Sequence, residues 1–308
     1  MPTATVNDIQ LAYVEQGQGQ PVVFVHGGLG DYRHFAGQMA AFAERHRAIA
    51  VSCRGYWPNE PLRQDEQITL DTFVDDIAAF ITSLDAGPVH LIGHSSPGGF
   101  GSLRLAQRDP GLLRSLVLLE PPAFPLLGVN IPPSPSQLIK LFFRDRRAAL
   151  ALIRMGAKGI RPAIKAFERG DDELAVRTFL TANLGATTFW PTDEQLAQMV
   201  ANAGPFKAQL RSGFPEFSEE DARGIKVPTL LVSGELSPVH LTAVADRLQE
   251  LLPDVERLNI PEAGHPMFIS HPKEFNRGVI EFIDRHDADP RPDRRIWSSP
   301  RRRPERSQ

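Results

Sequence analysis

The sequence predicts an α/β protein in which a mainly parallel sheet is flanked by helices. Short apolar strand patterns alternate with helical patterns in residues 1–120 and again after residue 225, whereas the stretch between them contains only helical patterns. With 308 residues, 42% of them hydrophobic and 23% charged, the chain is long enough to bury a sizeable core. Disordered and fibrous classes of protein are therefore excluded.

The strands are indicated by short runs of apolar, often β-branched side chains. Alternating large apolar residues predict one strand over residues 9–14. Continuous apolar runs predict strands that are covered on both faces. These runs lie at residues 21–25, 48–51, 89–92, 115–119 and 229–233, with a further strand near 255–260. Because helical patterns separate most of these runs, the strands are predicted to lie mainly parallel.

The helices are indicated by apolar residues spaced three or four positions apart, most clearly over residues 70–84. Further helices are predicted at residues 35–42, 98–108, 238–252 and 272–285. Inside the strand-free stretch, Thr192 and Gln195 form a capping-box pattern, which marks the start of a helix.

These patterns divide the chain into three parts. Residues 1–120 and 225–286 form the predicted α/β core, and residues 121–224 form an inserted helical lid with a proline-rich entry. Residues 287–308 hold seven arginines, four acidic residues and few apolar groups. We expect this last part to be a disordered, solvated tail rather than a basic interaction arm.

Charge and cysteine content limit the possible functions. The formal net charge of −3 offers no general attraction for nucleic acid or acidic membranes, so we expect neither as a partner. The single cysteine, Cys53, excludes an intramolecular disulfide and a cysteine-built metal site. The sequence shows no signal-peptide pattern and no run of about 18 apolar residues. We therefore expect a cytoplasmic monomer or homodimer that acts on a small molecule without metal or cofactor.

A serine motif lies between the predicted strand at residues 89–92 and the helix that follows it. The motif reads Gly93-His94-Ser95-Ser96-Pro97-Gly98. Small residues around a serine in a sharp strand-to-helix turn form a nucleophile elbow, which projects the hydroxyl above the sheet.

With this elbow the chain resembles the α/β-hydrolase family, over roughly residues 5–286. The resemblance also rests on His26-Gly27-Gly28 after an early strand, on an acid after the strand at 115–119, and on Ala263-Gly264-His265 after the last strand. It implies an α/β-hydrolase fold and a catalytic triad in the chain order nucleophile, acid, histidine. His265 is the general base that this order implies.

The elbow departs from the usual G-x-S-x-G spacing by one added residue. Ser95 has Gly93 two positions before it, whereas Ser96 has Gly98 two positions after it. The oxyanion hole of this fold uses the N–H of the residue after the nucleophile, and Pro97 has no N–H to give. Ser95 is therefore favoured as the nucleophile, with Ser96 as an oxyanion donor, and Ser96 stays the alternative nucleophile.

Gly28 is expected to donate the second oxyanion N–H, because glycine lets the backbone approach a substrate closely. We interpret His26 as a structural loop residue. His94 is interpreted as a neighbour of the elbow whose side chain packs away from the site.

The triad acid also departs from the family pattern. Family members usually carry Asp four positions after the residue that matches Ser233, where this chain has Ser237. The resemblance implies Glu120 instead, because some α/β-hydrolases, including many haloalkane dehalogenases, carry their acid at this place. A carboxylate there can orient His265 and stabilise its imidazolium. Glu235 stays an alternative acid.

Aromatic residues supply weaker candidates for an apolar substrate pocket. They are Trp57 in a loop of the core, and Phe124, Phe189 and Trp190 in the predicted lid. Packing in the core is the commoner role of such residues.

The sequence thus predicts a cofactor-free serine hydrolase that cleaves a small ester or related acyl substrate through an acyl-enzyme. A carbon-carbon bond hydrolase or a lactonase would use the same triad. A haloalkane dehalogenase or epoxide hydrolase is disfavoured, because its nucleophile is an aspartate and the elbow has none. A ligand-binding homologue that has lost catalysis stays an alternative from a different class of protein.

Overall fold

The computed structural model describes residues 1–63, 66–187 and 189–287, which are built around one eight-stranded sheet. The strand order is β1-β2-β4-β3-β5-β6-β7-β8. β2 pairs antiparallel with β1 and β4, and all other neighbours are parallel. The strands are Thr3–Val6 (β1), Ile9–Gln16 (β2), Pro21–Val25 (β3), Arg47–Val51 (β4), Val89–His94 (β5), Leu113–Leu119 (β6), Thr229–Gly234 (β7) and Val255–Ile260 (β8).

The predicted strands are all present, with shifts of one or two residues at most ends. β1 was not predicted. It forms the edge of the sheet and pairs only with β2, and three of its four side chains are at least partly exposed. A short strand of this kind lacks the apolar run that marks a buried strand in a sequence.

Helices surround the sheet and also fill the connection between β6 and β7. In chain order they are Ala36–Ala43 (α1), Leu70–Ser83 (α2), Gly98–Arg108 (α3), Pro135–Arg144 (α4), Arg146–Met155 (α5), Arg161–Glu168 (α6), Asp172–Asn183 (α7), Asp193–Ala201 (α8), Ala203–Ser212 (α9), Glu219–Gly224 (α10), Val239–Leu251 (α11), Met267–Ser270 (α12) and Pro272–Asp287 (α13). A π-helical turn, Gly156–Ile160, joins α5 to α6. None of the described helices combines the length and the apolar character needed to cross a membrane.

The core has two layers because alternate side chains of a strand point to opposite faces of the sheet. In β3, Val23 and Val25 pack in the layer that contains α2, α3 and α11. Val22 and Phe24 pack in the layer that contains α1, α12 and α13. All of β3 is buried, as expected for a parallel strand between two helical layers.

Residues 121–224, which we call the helical segment, carry α4 to α10. The segment has an apolar cluster of its own, which includes Phe167, Val176 and Phe206 and reaches Leu29 of the core. The predicted capping box is present at the start of α8, where the Thr192 hydroxyl accepts the Gln195 N–H.

The predicted tail lies outside the described residues, apart from Asp287. That residue ends α13 and accepts hydrogen bonds from His90 Nε2 at 2.8 Å and from His46 Nε2 at 3.1 Å. These two hydrogen bonds hold the end of α13 against the core.

Candidate active site

Ser95 occupies the turn between β5 and α3 in a left-handed conformation, with φ of +50°. A non-glycine residue adopts this conformation at a cost of about 1–3 kcal/mol. The Ser95 N–H donates to the Leu119 carbonyl and the Ser95 carbonyl accepts the Phe100 N–H, both at 2.9 Å, which holds the turn. The Ser95 side chain is partly exposed, whereas Ser96 is buried.

Close backbone contacts explain why glycine is needed at positions 93 and 98 of the elbow. A Cβ on Gly93 would lie 2.4 Å from the Gly98 carbonyl oxygen, and a Cβ on Gly98 would lie 2.2 Å from the Val25 carbonyl oxygen. Neither position can carry a side chain without moving the backbone. α3 begins at Gly98, so the added residue of the motif is accommodated between Ser95 and the helix.

Glu120 and His265 form a hydrogen-bonded pair, in which Glu120 is buried and His265 is partly exposed. Glu120 follows β6, is completely buried, and accepts a hydrogen bond from His265 Nδ1 at 2.6 Å through Oε2. Its other oxygen, Oε1, accepts the Gly234 N–H at 3.1 Å. Because the carboxylate holds the proton of His265 on Nδ1, the opposite nitrogen, Nε2, can accept a proton from a nucleophile.

The loop that carries His265 is held against the helical segment. The His265 N–H donates to the carbonyl of Leu184, the residue after α7, at 3.2 Å. A Cβ on Gly264 would lie 2.3 Å from the same carbonyl oxygen, so this close contact requires glycine. The end of α7 therefore fixes the position of the imidazole.

The alternative acid, Glu235, is placed elsewhere. It is exposed, and its Oε2 accepts the Glu262 N–H at 3.0 Å. Glu120 is thus the carboxylate that the structure brings to His265.

The prediction that His94 packs away from the site is wrong. The His94 and His265 ring centroids lie 4.5 Å apart, and Phe268 packs edge-on against His94 with a centroid distance of 4.9 Å. Gly27 leaves the space for this arrangement, since a Cβ there would lie 2.8 Å from His94 Nδ1. Burial, and then electrostatic repulsion between the His94 and His265 rings when both would be charged, hold the pKa of His94 well below its usual range. His94 is therefore a neutral ring that supports His265.

His26 has the structural role expected of it. Its Nε2 accepts the Cys53 N–H at 2.9 Å and its Nδ1 donates to the Gly27 carbonyl at 2.8 Å. The ring is completely buried, and this burial lowers its pKa. Both nitrogens are thus used to hold the loop that leads to Gly28.

α9 covers the two residues predicted to donate to an oxyanion. Gln209 Nε2 donates to Ser96 Oγ at 2.8 Å, and both side chains are buried. A Cβ on Gly28 would lie 2.7 Å from Phe206 Cδ2 and 3.1 Å from Gln209 Oε1. The sequence did not single out Phe206 or Gln209, because a helical pattern does not say which part of the core a helix covers.

Three of the predicted pocket aromatics differ in their surroundings. Trp57 is 39% exposed and the Arg33 guanidinium lies 3.7 Å above its ring. Phe124 is buried in the core beside Phe214, with a centroid distance of 6.1 Å. Trp190 is 44% exposed. Phe124 is therefore a core residue, whereas Trp57 and Trp190 are exposed.

Phe189 lines a cavity of about 170 Å³ between the core and α8. Met199 and Phe268 also border the cavity, whereas Ser95 and His265 do not. Phe189 is therefore the one predicted pocket residue, among those described, that borders this cavity.

The family model for the alpha/beta hydrolase fold matches residues 20–272, and the chain belongs to this family. The non-heme chloroperoxidase CPO-A1 of Kitasatospora aureofaciens is 26% identical, over 92% of this chain and 100% of the relative. The 2-(acetamidomethylene)succinate hydrolase of Mesorhizobium japonicum is 27% identical, over 91% of this chain and 93% of the relative. A solved serine hydrolase involved in carbazole degradation, the CarC enzyme, superposes with a TM-score of 0.68 at 20% identity, over 92% and 98% of the two chains. The predicted fold and family are thus confirmed.

Proposed function

We propose that this protein is a serine hydrolase in which Ser95 attacks the carbonyl carbon of a small ester or related acyl substrate. The observation that carries the proposal is the 2.6 Å hydrogen bond between Glu120 and His265. This hydrogen bond lies at the carboxyl ends of the parallel strands, where β5 ends and Ser95 forms its left-handed turn. Nucleophile, base and acid are then Ser95, His265 and Glu120.

The reaction would proceed through an acyl-enzyme. His265 Nε2 takes the hydroxyl proton as Ser95 Oγ bonds to the carbonyl carbon, and Glu120 stabilises the imidazolium. The imidazolium then gives this proton to the leaving oxygen as the ester C–O bond breaks. Water attacks the acyl carbon after losing a proton to His265, which returns that proton to Ser95 as the acid is released.

The N–H groups of Gly28 and Ser96 would bind the negative oxygen of the tetrahedral intermediate. Donors held by a rigid backbone need no reorganisation during the reaction, so they stabilise such an oxygen strongly. Pro97 supports this assignment, because Ser96 as the nucleophile would be followed by a residue without an N–H.

We further propose that the helical segment acts as a lid on a core formed by residues 1–120 and 225–286. Two contacts support this role. α9 covers Gly28 and Ser96, and Leu184 holds the loop of His265. Substrate would therefore bind between the core and the segment. The cytoplasmic location and the monomeric or dimeric state stay predictions from the sequence.

The experiment compares two single variants. Ser95→Ala should lower the turnover of a short p-nitrophenyl ester by at least about 10⁴-fold. It should also abolish covalent labelling by a fluorophosphonate. Ser96→Ala is the matched control, because it removes the neighbouring hydroxyl but keeps the backbone N–H, and it should still be labelled. Full labelling of the Ser95→Ala variant would contradict the proposal and identify Ser96 as the nucleophile.

A further inference from the structure

Helices α4 to α6 carry a concentrated positive charge. Residues 135–165, which end before Glu168 at the end of α6, contain eight basic side chains and one carboxylate, Asp145, a net charge of +7. The chain as a whole carries −3, so the remaining residues together carry −10. The net charge of the whole chain, on which the expectation of no membrane partner was based, does not show this separation of charge.

All eight basic side chains are exposed, and none of them forms an ion pair with a carboxylate of the described residues. Arginines elsewhere differ, because Arg104 pairs with Asp71 and Arg247 with Glu219. The positive charge on these helices is therefore available to an external anion. The eight residues are Lys140, Arg144, Arg146, Arg147, Arg154, Lys158, Arg161 and Lys165.

Large apolar side chains are exposed among these charges. Phe143 is 84% exposed and Ile139 is 59% exposed, and Phe142, Leu150 and Ile153 are also exposed. These five are half of the ten large apolar residues that are exposed in the described part of the chain. Single exposed apolar residues are ordinary, but a cluster marks an interaction surface.

Helix geometry places the apolar and basic residues on common faces. Leu150 and Ile153 lie on the side of α5 opposite its buried residues, with Arg146 and Arg154 beside them. Ile139 and Phe143 are four residues apart in α4 and so share a face of that helix. The buried residues of α5 are Ala148, Ala149, Leu152 and Met155.

The basic residues continue from α5 into α6. Arg154, Lys158, Arg161 and Lys165 are spaced by four, three and four residues along a continuous helical run that includes the π-helical turn. Residues at this spacing lie along one side of a helix. In α4 and α5, the Arg146 guanidinium lies 5.7 Å from the centre of the Phe142 ring and so links the two helices. We call the exposed side chains of residues 139–165 the α4–α6 surface.

We propose that the α4–α6 surface docks on a bilayer that contains anionic phospholipid. Helices that lie in a membrane interface combine an apolar centre, which enters between the headgroups, with lysines and arginines that meet the anionic lipids. Phe143 and Ile139 supply the apolar centre, and the basic residues flank it. Nucleic acid would use the charges but would leave the exposed aliphatic side chains Ile139, Leu150 and Ile153 without a partner.

Helix α6, which carries part of the α4–α6 surface, packs on its buried side against α9, the helix that covers Gly28 and Ser96. Phe167 near the end of α6 lies 6.3 Å from Phe206 of α9 between ring centroids, and Lys207 Nζ donates to the Phe167 carbonyl at 3.1 Å. The proposal does not depend on catalysis, because it concerns a surface separate from Ser95. An experiment can therefore contradict membrane binding without contradicting ester hydrolysis, and the reverse.

The test is sedimentation of the full chain with phosphatidylcholine vesicles, with or without 30% phosphatidylglycerol. We expect binding to the anionic vesicles that weakens with salt, and little binding to phosphatidylcholine alone. Arg147→Gln with Arg154→Gln should weaken binding roughly 10- to 30-fold. Ile139→Ser with Phe143→Ser should also weaken it, with little change in its salt dependence.

The matched control is Lys273→Gln with Arg277→Gln on α13, which removes the same charge from two exposed positions and should change binding less than about twofold. Equal binding to both kinds of vesicle, or equal losses in the control and the arginine variant, would overturn the proposal. A loss in the arginine variant without a loss in the Ile139 and Phe143 variant would also overturn it.

That result, with competition by a short RNA, would instead identify a polyanion site. Dissociation of a dimer by the Ile139 and Phe143 changes, without vesicle binding by the unchanged chain, would identify a self-association surface.

Discussion

Two of the three proposed triad residues have a backbone conformation that is unusual for their type. Ser95 and Glu120 have φ values of +50° and +47°. Such values are uncommon for residues other than glycine and cluster at functional sites. Each of the two residues directly follows the carboxyl end of a neighbouring parallel strand, β5 or β6. The turn after each strand therefore places a functional side chain at the carboxyl ends of the parallel strands.

Replacing Glu120 by Gln tests the charge of the acid while keeping its size. The amide cannot stabilise the imidazolium of His265, and its NH₂ group favours the wrong tautomer of the ring. We expect kcat to fall by about 10³–10⁴-fold with little change in KM, measured on a short p-nitrophenyl ester. Glu235→Gln is the matched control and should stay within about twofold of the unchanged chain. A large loss in the Glu235 variant, with full activity in the Glu120 variant, would contradict the assignment.

The sequence predicted the pairing of Glu120 with His265 but not the contact between the His94 and His265 rings, which are tilted by 37° to each other. The first was implied by the resemblance to the α/β-hydrolase family, because some members carry their acid at the place of Glu120. The second depends on the path of the loop after β8 and on the space left by Gly27. Neither the path nor the space can be read from local apolar patterns.

Among the elements, α9 has the most direct influence on the proposed site. The helical pattern of residues 121–224 predicted helices in this stretch, where α4 to α10 lie. It could not predict which helix faces Gly28, since an apolar stripe shows only that some face is buried. Packing of Phe206 against Phe179, with ring centroids 4.7 Å apart, fixes α9 in place.

Phe206→Ala should widen the site, because the ring lies against Gly28, where the acyl group would bind. We expect the ratio of kcat/KM for a long p-nitrophenyl ester to that for a short one to rise severalfold. Phe167→Ala is the control, because it truncates a buried ring of the same apolar cluster. Each change should cost about 3–5 kcal/mol of stability, so folding is checked by circular dichroism. An equal rise of the ratio in both variants would show that Phe206 has no special role in the site.

Several buried histidines link the stability of the protein to pH. Burial is the main cause that lowers the pKa of five histidines, which are His26, His34, His90, His94 and His240. The pKa of His34 is lowered to about 4 and that of His240 to about 3. The folded protein therefore keeps these rings neutral at pH values where the unfolded chain, with a histidine pKa of about 6.5, binds protons.

The free energy of unfolding should fall as the pH drops below about 6.5, because the unfolded chain then binds more protons than the folded one. The slope is up to about 1.4 kcal/mol per pH unit for each such histidine. The contribution of His240 should be lost progressively down to its folded pKa of about 3. Urea unfolding between pH 7.5 and 5 at constant ionic strength measures this, and His240→Leu should reduce the slope. A stability that does not change over this range would contradict the burial of these rings as neutral groups.

For the chain taken together, the sequence predicted fold and family well but missed how charge is distributed in space. The formal charge of −3 is a sum, whereas the +7 of residues 135–165 is a local property. The charges themselves can be read from the sequence. Their exposure beside Phe143 and Ile139 cannot, because it depends on which faces of α4 and α5 pack against the core.

The most direct test of the mechanism locates the serine that forms the covalent bond. The full chain is treated with a fluorophosphonate and the peptide that contains Ser95 and Ser96 is sequenced by tandem mass spectrometry. We predict one adduct per chain, on Ser95, and none on that peptide in the Ser95→Ala variant. An adduct on Ser96, or a folded chain that turns over the ester without any adduct on this peptide, would contradict Ser95 as the nucleophile.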